Sequence, residues 1–154
     1  MTVCFNLSIS RAMSVRAAGY AGALALAFSM NASAAVTAEQ AWIREVPPQS
    51  EVAAAFVELS NLGKKTERIV AMSSPLAARV EWHDMRHENG RMEMSQRLKP
   101  ELPAGSRTSL APMASHLMLF GLKQPLRVGM SVPLTLTLAS GQKVRVNAEV
   151  RAGL

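Results

Sequence analysis

The sequence predicts an all-β domain, a sandwich of two antiparallel sheets built from about eight or nine short strands. Three observations point to it. Apolar and β-branched residues come in short alternating runs, clearest in Val132–Leu138 (VPLTLTL), the pattern of a half-buried strand. Turn residues separate these runs, among them Pro47-Pro48, Asn61-Leu62-Gly63-Lys64, Ser73-Ser74-Pro75 and Ser140-Gly141. No segment carries an amphipathic repeat long enough to found a helical layer.

Taken in order, Ala41–Val46 is expected as a first strand, stopped by the two prolines. Ala53–Leu59 is expected as a second; its Ala53-Ala54-Ala55 run could be helical by propensity alone, but it has no amphipathic continuation. Glu67–Met72 makes a third. Arg79–Arg86 and Arg91–Leu98 flank Glu88-Asn89-Gly90, and Asn-Gly is a strong two-residue hairpin signal. Thr108–Leu110, Ser115–Phe120, Val132–Leu138 and Lys143–Val150 complete the set. No internal repeat, low-complexity tract or linker divides residues 36–154.

The N-terminus reads differently. Arg11 and Arg16 precede a charge-free run, Ala17–Met30, and Ala32-Ser33-Ala34 supplies the small-x-small pattern of a cleavage site. Residues 1–35 are therefore expected to be a cleaved export signal, with Met13 a candidate start. The run is Ala-rich and broken by Ser29, Asn31 and Ser33, short of the roughly 20 apolar residues a membrane span needs. Cys4 stands before the apolar run, so a lipid-modified cysteine at the cleavage point is not expected.

The chain of 154 residues is 49% hydrophobic and 18% charged, which argues against disorder and allows one domain with a real core. Without residues 1–35 it holds 15 basic and 11 acidic residues, seven methionines, three histidines and no cysteine. That inventory excludes disulfide frameworks, thiolate zinc sites and iron–sulfur clusters. The basic excess is spread along the chain and aromatic content is 5%, so no nucleic-acid partner is expected. In an oxidising compartment, a soft-metal site built from Met and His would avoid the hazards of a free thiol.

Such a site is legible between residues 83 and 118. With Asn89-Gly90 as the hairpin loop, Glu88 faces Arg91, His87 faces Met92, Met85 faces Met94 and His83 lies opposite Gln96. Period-two alternation then puts His83, Met85, His87, Met92 and Met94 on one face. His116 and Met118 share a face of their own strand. Thioethers are soft neutral donors that select Cu(I), and imidazole suits copper in either oxidation state. Zinc would prefer thiolate, imidazole or carboxylate, and calcium or magnesium would prefer oxygen.

The same residues resemble the periplasmic copper chaperones termed PCu(A)C. Their signature is a His, ten residues, a Met, twenty-one residues and His-x-Met, matched here by His83, Met94 and His116-Leu117-Met118. The Trp42 strand leading into Pro47-Pro48, Ala53–Asn61, Gly121–Leu126 and Val132–Leu136 are family-like as well. The resemblance implies a cupredoxin-like Greek-key sandwich with an exposed Cu(I) site, ligated by His83, Met94, His116 and Met118. Met85 and Met92 are auxiliary candidates outside the signature. It further implies a soluble periplasmic protein that supports copper delivery to the CuA centre of cytochrome c oxidase, through subunit II or another copper chaperone. A His/Met-rich C-terminal extension, present in many members, is missing from this sequence, so a second Cu(II) site of that kind is not expected.

Rival classes are weaker. His83-Asp84-Met85-Arg86-His87 has the i, i+4 histidines of a zinc-protease helix, but Asp84 replaces the expected Glu and the segment alternates as a strand. Blue-copper electron transfer requires a Cys thiolate. No Ser or Cys nucleophile stands in a recognisable catalytic pattern, so an enzyme is not expected. Copper storage or tolerance, and a copper-independent interaction module using β edges, remain as alternatives. His87 is expected as a surface residue, Trp82 as core, and Met72, Met113 and Met130 as ordinary core or loop positions.

Overall fold

The computed structural model describes residues 35–88 and 90–153. The proposed export signal, save Ala35, and Asn89 of the hairpin loop lie outside the described residues. Ten strands follow one another: β1 (Val36–Arg44), β2 (Val52–Asn61), β3 (Glu67–Ser73), β4 (Ala77–Glu88), β5 (Arg91–Gln96), β6 (Glu101–Leu102), β7 (Arg107–Leu110), β8 (His116–Leu122), β9 (Ser131–Leu138) and β10 (Lys143–Arg151). Among the described residues there is no helix, and Ala53–Ala55 is strand. Each predicted strand is present, most of them longer than expected. The two-residue β6, which pairs with β3, was not foreseen because it is too short to show a period.

Hydrogen bonding links the strands in the order β5-β4-β8-β2-β1-β10-β9-β3-β6, with β7 also on β2. One junction departs from the antiparallel expectation: β1 and β10 run parallel, Trp42 against Glu149 and Arg44 against Arg151. Hairpins can join only antiparallel neighbours, whereas these two strands are separated by the whole domain and are free to run the same way. A bulge in β1 at Gln40, whose φ is 51°, shifts its register on β2 between Glu39 and Trp42. After the bulge Ile43 faces the core while Trp42 points out against Phe56.

Both ends of this strand path contribute to one core. Trp82, Leu117, Leu119, Val57 and Ile43 come from the β4-β8-β2-β1 half, and Val132, Leu134, Leu136, Ala148 and Val150 from β9 and β10. The strict alternation of β9 is realised: Val132, Leu134, Leu136 and Leu138 are buried. Burying each of these aliphatic side chains contributes about 2 kcal/mol, and a one-residue slip would expose them together.

Gly121 lies within β8, one residue before its end. Its φ is 64°, and a Cβ there would stand 2.8 Å from the Ala78 Cβ on β4. Left-handed backbone and a collision with a main-chain-anchored methyl act together. Gly121→Ala is therefore expected to destabilise the fold by about 2 kcal/mol, read as a lower midpoint with unchanged slope in urea denaturation.

Candidate metal centre

Strand pleating divides β4 and β8 into two faces. On β4, Val80, Trp82 and Asp84 point into the core, while Glu81, His83, Met85 and His87 point outward. On β8, Leu117 and Leu119 point inward and His116, Met118 and Phe120 outward. The antiparallel register sets His83 opposite His116, Glu81 opposite Met118 and Arg79 opposite Phe120. Across the other edge of β4, Gln96 lies opposite His83, Met94 opposite Met85, and Met92 opposite His87. The hairpin register read from Asn-Gly is thus the register observed.

The two imidazole centroids are 6.4 Å apart. His116 is only 6% exposed, sheltered by Phe56 at 6.3 Å, which itself stacks on Trp42 at 4.4 Å. Phe120 stands 6.0 Å from His83 and carries the Arg79 guanidinium over its ring. Phe56 is buried yet belongs to this outer cluster rather than to the main core. Met118 and Met85 are half-buried, whereas Met94, on the edge strand β5, is 53% exposed. A cleft of about 280 Å³ opens beside His116, lined also by Arg44, Ala54, Phe56, Met85, Pro112 and Met113.

Hydrogen bonds decide which ring nitrogens are free. His116 Nδ1 lies 3.0 Å from the Ala114 carbonyl, which can only accept, so the ring proton sits on Nδ1 and the Nε2 lone pair is available. His83 Nε2 donates to Glu81 Oε2 at 2.9 Å. In the neutral ring this leaves a lone pair on Nδ1, a buried atom with no partner among the described residues. Glu81 is in turn held by Arg79 Nε at 2.8 Å. The hydrogen bond from His83 depresses the Glu81 pKa, against the opposing effect of burial and with help from Arg79. A carboxylate behind a ligating imidazole fixes its tautomer and raises its basicity.

Among the described residues no three His, Cys, Asp or Glu side chains gather as a borderline or hard metal site would require. The soft or borderline donors that share the outward face are two imidazoles and several thioethers. His83 and His87 both lie on strand β4, which removes the helix that the zinc-protease alternative needs.

Known proteins resemble this chain in sequence and in fold. A family model described as "Putative lipoprotein LpqE-like" matches residues 36–150. The chain belongs to the LpqE-like family. A relative from Leifsonia xyli subsp. xyli, named "Putative lipoprotein Lxx21020", is 33% identical over 117 residues, 75% of this chain and 69% of its own. Among solved structures, the Cu(I) form of DR1885 from Deinococcus radiodurans is 32% identical, covers 72% of this chain and 74% of its own, and has a TM-score of 0.59. The copper-bound PCuAC domain of PmoF2 is 22% identical and covers 77% and 94%, with a TM-score of 0.66; it shows the shared fold. The resemblance to PCu(A)C proteins and the cupredoxin-like sandwich both hold for this LpqE-like chain.

The structure brings His83, His116 and Met118 together on adjacent strands and places Met94 one strand further out, beside Met85. Met85 stands on β4 itself and lines the cleft with His116, so it is nearer the imidazole pair than its auxiliary status suggests. Met92 sits a rung away, where its sulfur lies 3.1 Å from His87 Nδ1 at the exposed end of the hairpin. Met113, expected as an ordinary core or loop position, stands in the loop before β8 and also lines the cleft beside His116. Glu81 was not singled out from the sequence, although its position two residues before His83 puts it on the same face.

Asp84 was also missed, because a carboxylate on the core face has no sequence signal beyond its parity. It is 5% exposed and accepts from Trp82 Nε1 at 2.9 Å, Ser115 Oγ at 2.7 Å and Arg97 Nε at 2.6 Å. It therefore ties β4 to the residue preceding His116 and to the segment just beyond β5. Burial opposes ionisation, but the hydrogen bonds from Ser115, Trp82 and Arg97, with the Arg97 charge, outweigh it and hold the pKa below the usual aspartate range. A depressed folded-state pKa contributes stability above the unfolded pKa of about 4, and that stability is lost as pH falls through the folded value. Asp84→Asn is expected to cost about 2 kcal/mol near neutral pH, Arg97 contributing little because it is half exposed. The variant should also show a shallower acid limb in a plot of stability against pH.

Proposed function

We propose that the chain is an exported Cu(I)-binding chaperone whose cargo is held by His83, His116, Met118 and a thioether from the Met94–Met85 rung, with Met92 an auxiliary further along the hairpin. The observation that carries this is the cross-strand His83–His116 pair, each ring with one nitrogen occupied and the other free. Metal–imidazole bonds are about 2 Å long, so a 6.4 Å centroid separation leaves room for one ion between the rings. All the proposed donors are neutral, which leaves bound Cu(I) with its single charge, and thioethers discriminate against zinc and hard cations. The Cu(I) state of DR1885 supports the choice of metal.

The site lies on an outward face near the sheet edge formed by β5. Its exposed Met94 can be exchanged for a donor on an acceptor protein, which suits binding and transfer rather than catalysis. Delivery to the CuA centre of cytochrome c oxidase, through subunit II or a second copper chaperone, is the role we assign, in the periplasm. Residues 1–35 support export by their composition, leaving 36–154 as the copper-binding domain, and lipoprotein relatives are consistent with an exported family. Among the described residues no helix is long and apolar enough to cross a membrane.

Anaerobic titration against a chromogenic Cu(I) chelator is expected to give one tightly bound ion per chain. His116→Ala with Met118→Leu should weaken binding by at least about 100-fold while the circular dichroism spectrum and melting temperature are retained. Undiminished affinity in that variant would remove the ligand assignment. Glu81→Ala should weaken binding by about tenfold, through loss of the partner that orients His83. Transfer is tested separately: a deletion strain grown at limiting copper should regain CuA assembly with the wild-type chain and not with the double variant.

A further inference from the structure

We propose that Met113 is a further Cu(I) donor, a thioether mounted on a rigid turn at the rim of the cleft beside His116 and Met85. The proposal rests on the copper reading above and extends it to a residue outside the signature spacing. The turn is well defined. Ala114 N–H donates to the Ala111 carbonyl at 3.1 Å, Ala111 N–H donates to the Ser115 carbonyl at 3.0 Å, and Pro112 occupies the second position. Met113 stands at the third position with φ of 63°.

That position in such a turn favours Gly or Asn, since a side chain in left-handed backbone meets its own carbonyl. Methionine is costly there, and the cost is not recovered by packing, because Met113 is 75% exposed. The side chain nonetheless lines the cleft that His116, Met85 and Phe56 share. A strained backbone site bearing an exposed soft donor three residues before a proposed ligand points to a requirement for the sulfur itself. The hydrogen-bonded turn and Pro112 fix the Cα, while the flexible thioether arm can swing over the cleft or away. Among the proposed donors, Met118 and Met94 stand on strands β8 and β5. Met113 stands on the turn that precedes β8, off the sheet ladder, so its arm can take hold of the ion as another donor lets go.

Two substitutions and one spectrum test this. Met113→Leu keeps the shape and the strain but removes the sulfur; it should weaken Cu(I) binding by roughly tenfold in the chelator competition. Met113→Gly relieves the strain and removes the sulfur; it should raise the urea midpoint while weakening copper binding by the same factor, an opposition that a merely structural role would not produce. In the methyl spectrum of 13C-methionine-labelled protein, the ε-methyl resonance missing from Met113→Leu should shift in proportion to added Cu(I) up to one equivalent. If wild type binds one Cu(I) and Met113→Leu matches its affinity, or that resonance stays still, Met113 is not a donor and the copper reading stands without it. If wild type itself takes up no Cu(I), both readings fall.

Discussion

The antiparallel register of β4 on β8 is the constraint on which the rest depends. It sets His83 against His116, and the pleat then dictates that Glu81, Met85, Met118 and Phe120 share their face. The opposite face of the same strands buries Trp82, Leu117 and Leu119. A slip of β4 by one residue would turn His83 into the core and Trp82 to solvent, and a slip of β8 would do the same to His116 and to Leu117 and Leu119. Hydrophobic burial, worth several kcal/mol over that row, fixes the placement of the proposed ligands, to which those side chains themselves contribute little.

Polar clamps on each side refine that placement. Beneath the sheet, Asp84 joins β4, Ser115 and Arg97 through the three hydrogen bonds it accepts. Above it, Arg79 and Glu81 hold one nitrogen of His83, and the Ala114 carbonyl holds one nitrogen of His116. Each imidazole is thereby oriented by one ring atom with the other left free, which is how outer groups tune a metal site. Phe56, Trp42 and Phe120 shield the pair from water without closing it off. On the proposed assignment, an ion held there has neutral donors in an open, partly apolar site, suited to ligand exchange.

Much of this was legible in the sequence, for identifiable reasons. Asn89-Gly90 gave the hairpin register, and period-two alternation gave the shared face of His83, Met85, Met92 and Met94. The long intervals to Met94, His116 and Met118 had no local physical meaning and were read through family resemblance; the structure gives them one, since β8 returns to pair with β4. What could not be read was set by tertiary contacts. The parallel β1–β10 pairing and the Gln40 bulge depend on strands far apart in the chain. Asp84 looks like any acidic strand residue until Arg97, just beyond β5, and Ser115, just before β8, are present. Met113 became notable only through a backbone angle and a shared cleft.

The central claim is that the ion sits between His83 and His116 with thioether sulfur completing its coordination. Copper-edge X-ray absorption on the anaerobic Cu(I)-loaded chain tests it most directly. The account predicts a mixed nitrogen and sulfur shell, with the nitrogen contribution reduced in His83→Ala and the sulfur contribution reduced in Met118→Leu. A shell of nitrogen and oxygen alone, or a spectrum unchanged by either substitution, would contradict it.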